Sequence, residues 1–244
     1  MDNIIEQLRN DSEYYNGIGR NYLSNSDIGV LLSNPAMYGI KQEPTLAMLQ
    51  GTYFHHSCLE PHKVKDFKYV SASTRTTNIY KDACKEHGVE FMLLEKEIQE
   101  VDSMVSALRG NKELSKLVWD NGVKYETPYI GTIMGKEWKG KVDIENGDFI
   151  YDIKSCSNID DFKYSAKKYN YDSQTAIYEE LTGLRMAFIV IEKGSNRLGI
   201  FHPSDEFRNN GWQKIQKAVE VHSKFFGSNP THDVSQYYTE QYLF

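Results

Sequence analysis

Between Val123 and Ser155 apolar and polar residues alternate at every second position, whereas the flanking sequence repeats at three and four. Period two is the signature of strands and period 3.6 of helices. Gly131, Gly135 and Asn146-Gly147 punctuate the alternation and predict three consecutive strands, 123–130, 136–145 and 148–155. Asn-Gly between extended runs is a strong hairpin signal, because a type I′ turn needs positive φ at both central residues. Such a sheet must be covered, and the flanking segments supply the cover. Ser24–Asp27 offers cap residues before Ile28–Leu32, and Leu46, Leu49, Tyr53 and Phe54 recur at helical spacing until Pro61. Further helices are predicted over 78–87, over 93–109 with the stripe Ile98, Val101, Val105 and Leu108, and over 160–182 up to Gly183. A buried-type strand over 185–192, a short one over 198–201 and a helix striped by Trp212, Ile215, Val219, His222 and Phe226 complete the chain. The expected class is α/β, with a central mixed sheet flanked by helices. At 244 residues a single domain over 1–244 is expected, with an N-terminal helical part (1–50), a core (51–192) and a C-terminal strand and helix (193–244).

The hairpin gathers chemistry. With Asn146-Gly147 as a two-residue turn, Glu145 pairs with Asp148, Asp143 with Ile150 and Lys141 with Asp152. Alternation then places Lys141, Asp143, Asp152 and Lys154 on one face, with the Asp143 and Asp152 backbones diagonal neighbours about 7–8 Å apart. Paired carboxylates suit a hard divalent ion, which takes one or two of them and keeps open positions for water and phosphate oxygens. A lysine beside such an ion can orient or deprotonate the attacking water and stabilise the transition state. A solvent-facing hairpin of alternating charge reads equally well from these residues alone. His55 lies four residues after Gly51 on a predicted helix, hence on its face, and Tyr171, Gln174 and Tyr178 form a polar row on the helix that follows Lys154.

Charge narrows the partners. With 28 Lys+Arg against 34 Asp+Glu the net charge is −6, which argues against a generic basic nucleic-acid coat whose affinity comes from phosphate neutralisation. An enzyme whose carboxylates hold metal facing phosphate remains open. The stretch 136–168 is locally neutral, and Lys136, Lys139 and Lys141 are expected to line the active face of their strand, with Lys163, Lys167 and Lys168 on the next helix. Three cysteines without a C-x-x-C pair argue against a disulfide framework, a structural zinc site or a four-cysteine iron–sulfur cluster. Gly135–Lys141 meets the start of a phosphate-loop pattern, but Val142 follows in place of Ser/Thr and the context is strand–strand, so no nucleotide cofactor is expected. No apolar run approaches the roughly 18 residues of a membrane helix, and the N-terminal decapeptide has no signal-like apolar core, so a cytoplasmic protein without membrane association is expected.

Four ordered blocks carry a resemblance: Gly51-x-x-x-His55-x-x-x-Leu59-Glu60-Pro61, Lys141-Val142-Asp143, Asp152-Ile153-Lys154-Ser155 and Tyr171-x-x-Gln174-x-Ala176-x-Tyr178. Together they resemble the RecB-like branch of the PD-(D/E)XK nucleases, and more closely the phage or prophage exonuclease VIII (RecE-type) group. The resemblance implies a restriction-endonuclease-like core and an Mg²⁺- or Mn²⁺-dependent deoxyribonuclease with two ions per site. His55, Asp143, Asp152 and the Ile153 carbonyl would be metal ligands, and Lys154 the catalytic lysine with Asp143 and Asp152. Lys141, Ser155, Gln174 and Tyr178 would contact DNA or brace the site. Gly51 spacing favours His55 over His56, and Glu60 would stand behind the site. Lys141 occupies a position where the group frequently has arginine, a better bidentate phosphate binder. The implied reaction is 5′→3′ resection of linear double-stranded DNA from its ends for single-strand-annealing recombination, with an annealing protein as partner and a homo-oligomeric ring as the assembly. An endonuclease on the same core, or a non-catalytic DNA-binding module on a nuclease fold, are the alternatives. No role is read for residues 228–244.

Overall fold

A computed structural model describes residues 2–41, 43–65 and 67–240. Helices α1 (Asp2–Leu8), α2 (Asp11–Tyr15) and α3 (Asn25–Ser33) open the chain, followed by α4 (Leu46–Leu59) and α5 (Pro61–Val64). The Asp27 carboxylate accepts the Ser24 N–H at 2.7 Å, so the expected cap starts α3. A two-stranded parallel ribbon, β1 (Tyr69–Val70) with β2 (Leu93–Leu94), frames α6 (Asn78–His87), and α7 (Glu95–Gly110) and α8 (Lys112–Trp119) follow. The main sheet has the order β3 (Lys124–Ile133), β4 (Lys136–Asn146), β5 (Phe149–Cys156), β6 (Arg185–Glu192), β7 (Leu198–Phe201). Helices α9 (Phe162–Lys168) and α10 (Tyr171–Thr182) form the crossover from β5 to β6, and α11 (Asp205–Phe226) closes the fold. Only β5 and β6 run parallel; the other neighbours are antiparallel, so the sheet is mixed and flanked by helices as expected.

The two faces have separate cores. Ile144, Tyr151, Ile153, Ala187, Ile189 and Ile191 pack against α4, α7 and α8. Val142, Ile150, Met186, Phe188 and Val190 pack against α9 and its approach. Beside the second lies a cluster of Leu23, Ile28, Trp138, Ile177 and Ile215 that ties α3, α10 and α11 to β4. Gly211 lets α11 cross α10 closely, since a Cβ there would lie 2.1 Å from the Asp172 carbonyl oxygen. No helix among the described residues is long and apolar enough to cross a membrane.

Besides α7, which starts at Glu95 because Leu93 and Leu94 pair with β1, three boundaries differ from expectation. The first strand runs on through Gly131 to Ile133, because the β3–β4 turn is Met134-Gly135, both at positive φ (50° and 72°). The turn joining β4 to β5 is Gly147-Asp148, since Asn146 pairs with Phe149 and only Gly147 of the expected pair has positive φ. Moving a two-residue turn by one position shifts every partner by two, so Glu145 meets Ile150 in place of Asp148. The third difference is the long helix over 160–182, which breaks at Asn170, held at φ 58°; asparagine tolerates the left-handed region better than most residues. Part of the 228–244 segment turns back so that His232 and Tyr237 meet Phe225 edge-on, while residues 241–244 lie outside the described ones.

Candidate active site

The site lies where β4 and β5 part. Their ladder holds only three pairs, ending at Ile144–Tyr151, and beyond it β4 follows β3 while β5 follows β6. Asp143 and Asp152 stand at the mouth of this fork. The Ile153 N–H, without a strand partner on that side, donates to Asp143 Oδ2 at 2.9 Å. A strand residue directs its N–H and C=O to the same edge, so the Ile153 carbonyl faces the fork as well.

β4 is kinked here. Val142 and Ile144, two residues apart, belong to the cores on opposite faces of the sheet. Opposite Asp143, between the pairs Tyr125–Ile144 and Thr127–Val142, Glu126 has φ 48° and leaves the ladder. A left-handed glutamate is uncommon, and a backbone so placed costs on the order of 1–3 kcal/mol. The broken alternation corrects the expected common face. Asp143, Asp152 and Lys154 do converge, but Lys141 turns to the other side. There its Nζ meets Asp11 Oδ1 at 2.7 Å and lies over the Tyr14 ring, and its side chain is buried. Lys139 is buried beside it, donating to the Tyr14 carbonyl, and Lys136 is three residues away and so on the opposite face from Lys139. Helix α2 thus covers lysines that alternation alone would have exposed.

The α4 helix brings His55 to the fork, with Nε2 3.1 Å from Asp143 Oδ2 and Nδ1 3.6 Å from Glu126 Oε1. His56 turns away from Asp143, toward Glu60 at 3.7 Å and the Phe67 ring, so the geometry separates two histidines that sequence adjacency could not. From α10, Gln174 donates to Asp152 Oδ1 at 2.5 Å. Tyr178 packs its ring over Gly140, where a Cβ would meet Cε1 at 2.8 Å. Lys154 Nζ stands 2.5 Å from Asp152 Oδ2 and 4.8 Å from the centre of the Tyr171 ring. Ser155 follows Lys154 in β5 and alternates away from it, pairing with Ile191. Gln174, Tyr178 and Lys154 are therefore gathered at the fork, whereas Lys141 and Ser155 are not. Glu126 went unread in the sequence. The hairpin register across Met134-Gly135, carried back along β3, places it directly opposite Asp143 and would have found it.

The electrostatics are those of crowded buried carboxylates. Burial raises the Asp152 carboxyl, and Asp143 beside it raises it further, against the pull of Lys154. Burial works the same way on Asp143, but His55 and Lys154 outweigh it and hold that carboxyl low. Burial would lower His55, yet Asp143 and Glu126 push the imidazole up to about 10. Burial likewise opposes the Lys154 charge, but Asp152 and Asp143 keep the ammonium protonated well into alkaline conditions. Three carboxylates thus face one lysine and one imidazole. Asp152 Oδ2 is buried, with the Lys154 ammonium at 2.5 Å as its close polar partner. Three carboxylates against two cationic groups fit a hard divalent cation, which is oxygen-seeking and offsets the surplus negative charge.

Two groups of side chains among the described residues are close enough to share an ion: His55, Glu126 and Asp143 at the fork, and Asp11, His56 and Glu60 outside it. In the outer group both Asp11 oxygens are already taken, Oδ1 by Lys141 and Oδ2 by Lys63 at 2.8 Å, and Lys63 also reaches Glu60. Lysine charge therefore satisfies the outer group, and the inner one retains the deficit.

Comparison with known proteins places this architecture. The family described as "PDDEXK-like domain of unknown function (DUF3799)" matches residues 36–225. A candidate exonuclease from Eubacterium rectale has a crystal structure that superposes with TM-score 0.64 at 17% identity, covering 87% of this chain and 85% of that one. A phage-related exonuclease from Haemophilus somnus gives TM-score 0.34 at 16% identity over 68% of this chain and 92% of that one, too slight a likeness to bear on the site. No curated protein matches the chain.

Proposed function

The chain belongs to the DUF3799 family of PDDEXK-like domains, and on that premise we propose that it is a metal-dependent DNA exonuclease hydrolysing phosphodiester bonds. The observation that carries the reading is the fork itself: His55, Asp143, Asp152 and the Ile153 backbone converge beside Lys154, with Glu126 adding a third carboxylate to the set. His55 Nε2, the two aspartates and the Ile153 carbonyl would hold Mg²⁺ or Mn²⁺, with two ions per site as the fuller form. When bound, the ion supplies a water of lowered pKa and offsets charge developing on phosphorus. The protein's own groups do the rest. The Ile153 N–H and the Gln174 amide fix the two carboxylates, so that little reorganisation is needed when phosphate enters. Lys154, charged and steadied by the Tyr171 ring, offers its ammonium to the attacking water and to the phosphate oxygens. Tyr178, on the α10 side of β4, is positioned to brace Gly140 and to border a DNA strand, with Gln174 beside it.

The finer reading is 5′→3′ resection of linear double-stranded DNA for phage-type single-strand-annealing recombination. An annealing protein as partner and a ring-shaped homo-oligomer belong to the same reading, which rests on the four sequence blocks. The whole chain, 1–244, is taken as one nuclease domain, because α3 and α11, from its two ends, pack together on β4 through Trp138.

Linear and closed circular duplex DNA, each incubated with Mg²⁺ or with EDTA, test the proposal. Mg²⁺-dependent loss of linear DNA alone is the expected result. Cutting of closed circles would favour an endonuclease on the same core, and no cleavage of either substrate with Mg²⁺ or Mn²⁺ would overturn the enzyme reading.

A further inference from the structure

Glu126 is the side chain at the fork that the reading above leaves without a task, and its backbone sets it apart. It has φ 48° as the third residue of a ten-residue strand, where every other ladder position from Lys124 to Ile133 is paired. Glycine would adopt that conformation freely. A glutamate held there keeps a side chain that a mere kink does not need, and outliers of this kind cluster at functional sites.

The kink turns the carboxylate toward α4. Glu126 Oε1 stands 3.6 Å from His55 Nδ1, just beyond hydrogen-bond reach, while the other ring nitrogen, Nε2, faces Asp143 at 3.1 Å. Among the described residues no lysine or arginine pairs with Glu126; His55 is its ionic neighbour. The two nitrogens of one imidazole are thus divided between two carboxylates on two strands, Nε2 toward Asp143 and Nδ1 toward Glu126. A histidine that gives one nitrogen to a metal usually donates its other N–H to a carboxylate, which fixes tautomer and ring plane.

We infer that Glu126 is a positioning residue: it accepts the Nδ1–H of His55, holds the ring in the tautomer that leaves Nε2 free, and so sets the affinity of the fork for a divalent ion. This rests on the metal-site reading proposed above. It assigns the strained residue of β3 to metal retention and not to contact with DNA.

Calorimetric titration of the DNA-free protein with Mn²⁺ tests it, comparing wild type, Glu126→Ala and Glu126→Gln, with a circular-dichroism melt confirming that each is folded. The Glu126→Gln variant would keep an amide oxygen able to accept Nδ1–H but lose the charge a direct ligand needs, so the pair separates the two roles. Glu126→Ala is expected to weaken Mn²⁺ binding about 10–100-fold, the usual cost of losing such a partner, and Glu126→Gln to restore it to within about threefold of wild type. Equal loss in both variants would make Glu126 a direct ligand and overturn the inference, as would wild-type affinity in Glu126→Ala. Wild-type protein that binds no Mn²⁺ would overturn the metal-site reading together with this one, whereas failure of the Glu126 variants alone leaves that reading standing.

Discussion

Asp152→Asn is expected to reduce Mg²⁺-dependent cleavage of linear duplex DNA by about 10³-fold or more, while the protein stays folded. Asp152 is 2% exposed and at the centre of the fork, with Oδ1 held by Gln174 and Oδ2 beside the Lys154 ammonium. Asparagine keeps its shape and its acceptor toward Gln174 but removes the charge that would meet the ion. Metal-borne stabilisation of a phosphoryl transition state is worth several kcal/mol, and a 10³-fold loss corresponds to about 4 kcal/mol. Two effects on stability oppose each other. Lys154 loses its nearest carboxylate, which alone would be costly for a buried pair. Asp143 loses a like-charged neighbour, and Lys154 still has Asp143 to neutralise it. A circular-dichroism melt close to that of wild type, combined with lost cleavage, is the expected pattern. Lys154→Ala should lose activity on a similar scale by removing the cation from the phosphate. Near-wild-type rates in Asp152→Asn would remove this residue from the site even if the protein is a nuclease.

The largest effect on stability is expected for Trp138→Ala, at about 3–5 kcal/mol of unfolding free energy. The side chain is fully buried, and its Nε1 donates to the Ile133 carbonyl at 3.1 Å across the β3–β4 hairpin. Around it pack Leu23, Ile28, Ile177 and Ile215, so one residue of β4 unites the N-terminal segment, the crossover helix and the C-terminal helix. The backbone adds to this: Leu23 N donates to the Glu137 carbonyl and Lys139 N to the Leu23 carbonyl, at 2.9 and 2.8 Å. An indole-sized cavity at this junction cannot be filled without moving three elements, and the lost free energy is a large share of the ~5–15 kcal/mol typical of a whole protein. Urea unfolding should show the midpoint falling in proportion, with loss of cooperativity if the terminal helices detach first. A change below about 1 kcal/mol would mean that this cluster does not hold the chain ends to the sheet.

Most of the fold was legible because its signals are local. Periodicity located the five strands of the main sheet and most helices but not the β1–β2 ribbon, and Ser24, Gly88 and Gly183 marked ends where the structure has them. The fork was legible for a subtler reason. The β4–β5 turn lies one residue later than Asn-Gly suggests, yet a shift of every partner by two preserves which residues share a face, so Asp143 still met Asp152. What could not be read was a departure from regularity. Alternation carried Lys141 along with Asp143, but the kink opposite Glu126 reverses the strand between them, and nothing about a glutamate in a period-two run announces a positive φ. The break at Asn170 is of the same kind: helical periodicity continues across it, and one left-handed residue divides the helix. Burial of Lys139 and Lys141 depends on Asp11 and Tyr14, more than a hundred residues away, a distance that no local pattern spans.

Anomalous diffraction from a crystal grown with Mn²⁺ tests the central claim most directly, because it locates the ion without reference to activity. A peak is predicted in the fork, at ordinary coordination distances of about 2.0–2.3 Å from carboxylate oxygens of Asp143 and Asp152, with His55 Nε2 and the Ile153 carbonyl completing the set. An empty fork at saturating Mn²⁺, or a peak confined to Asp11, His56 and Glu60, would contradict it.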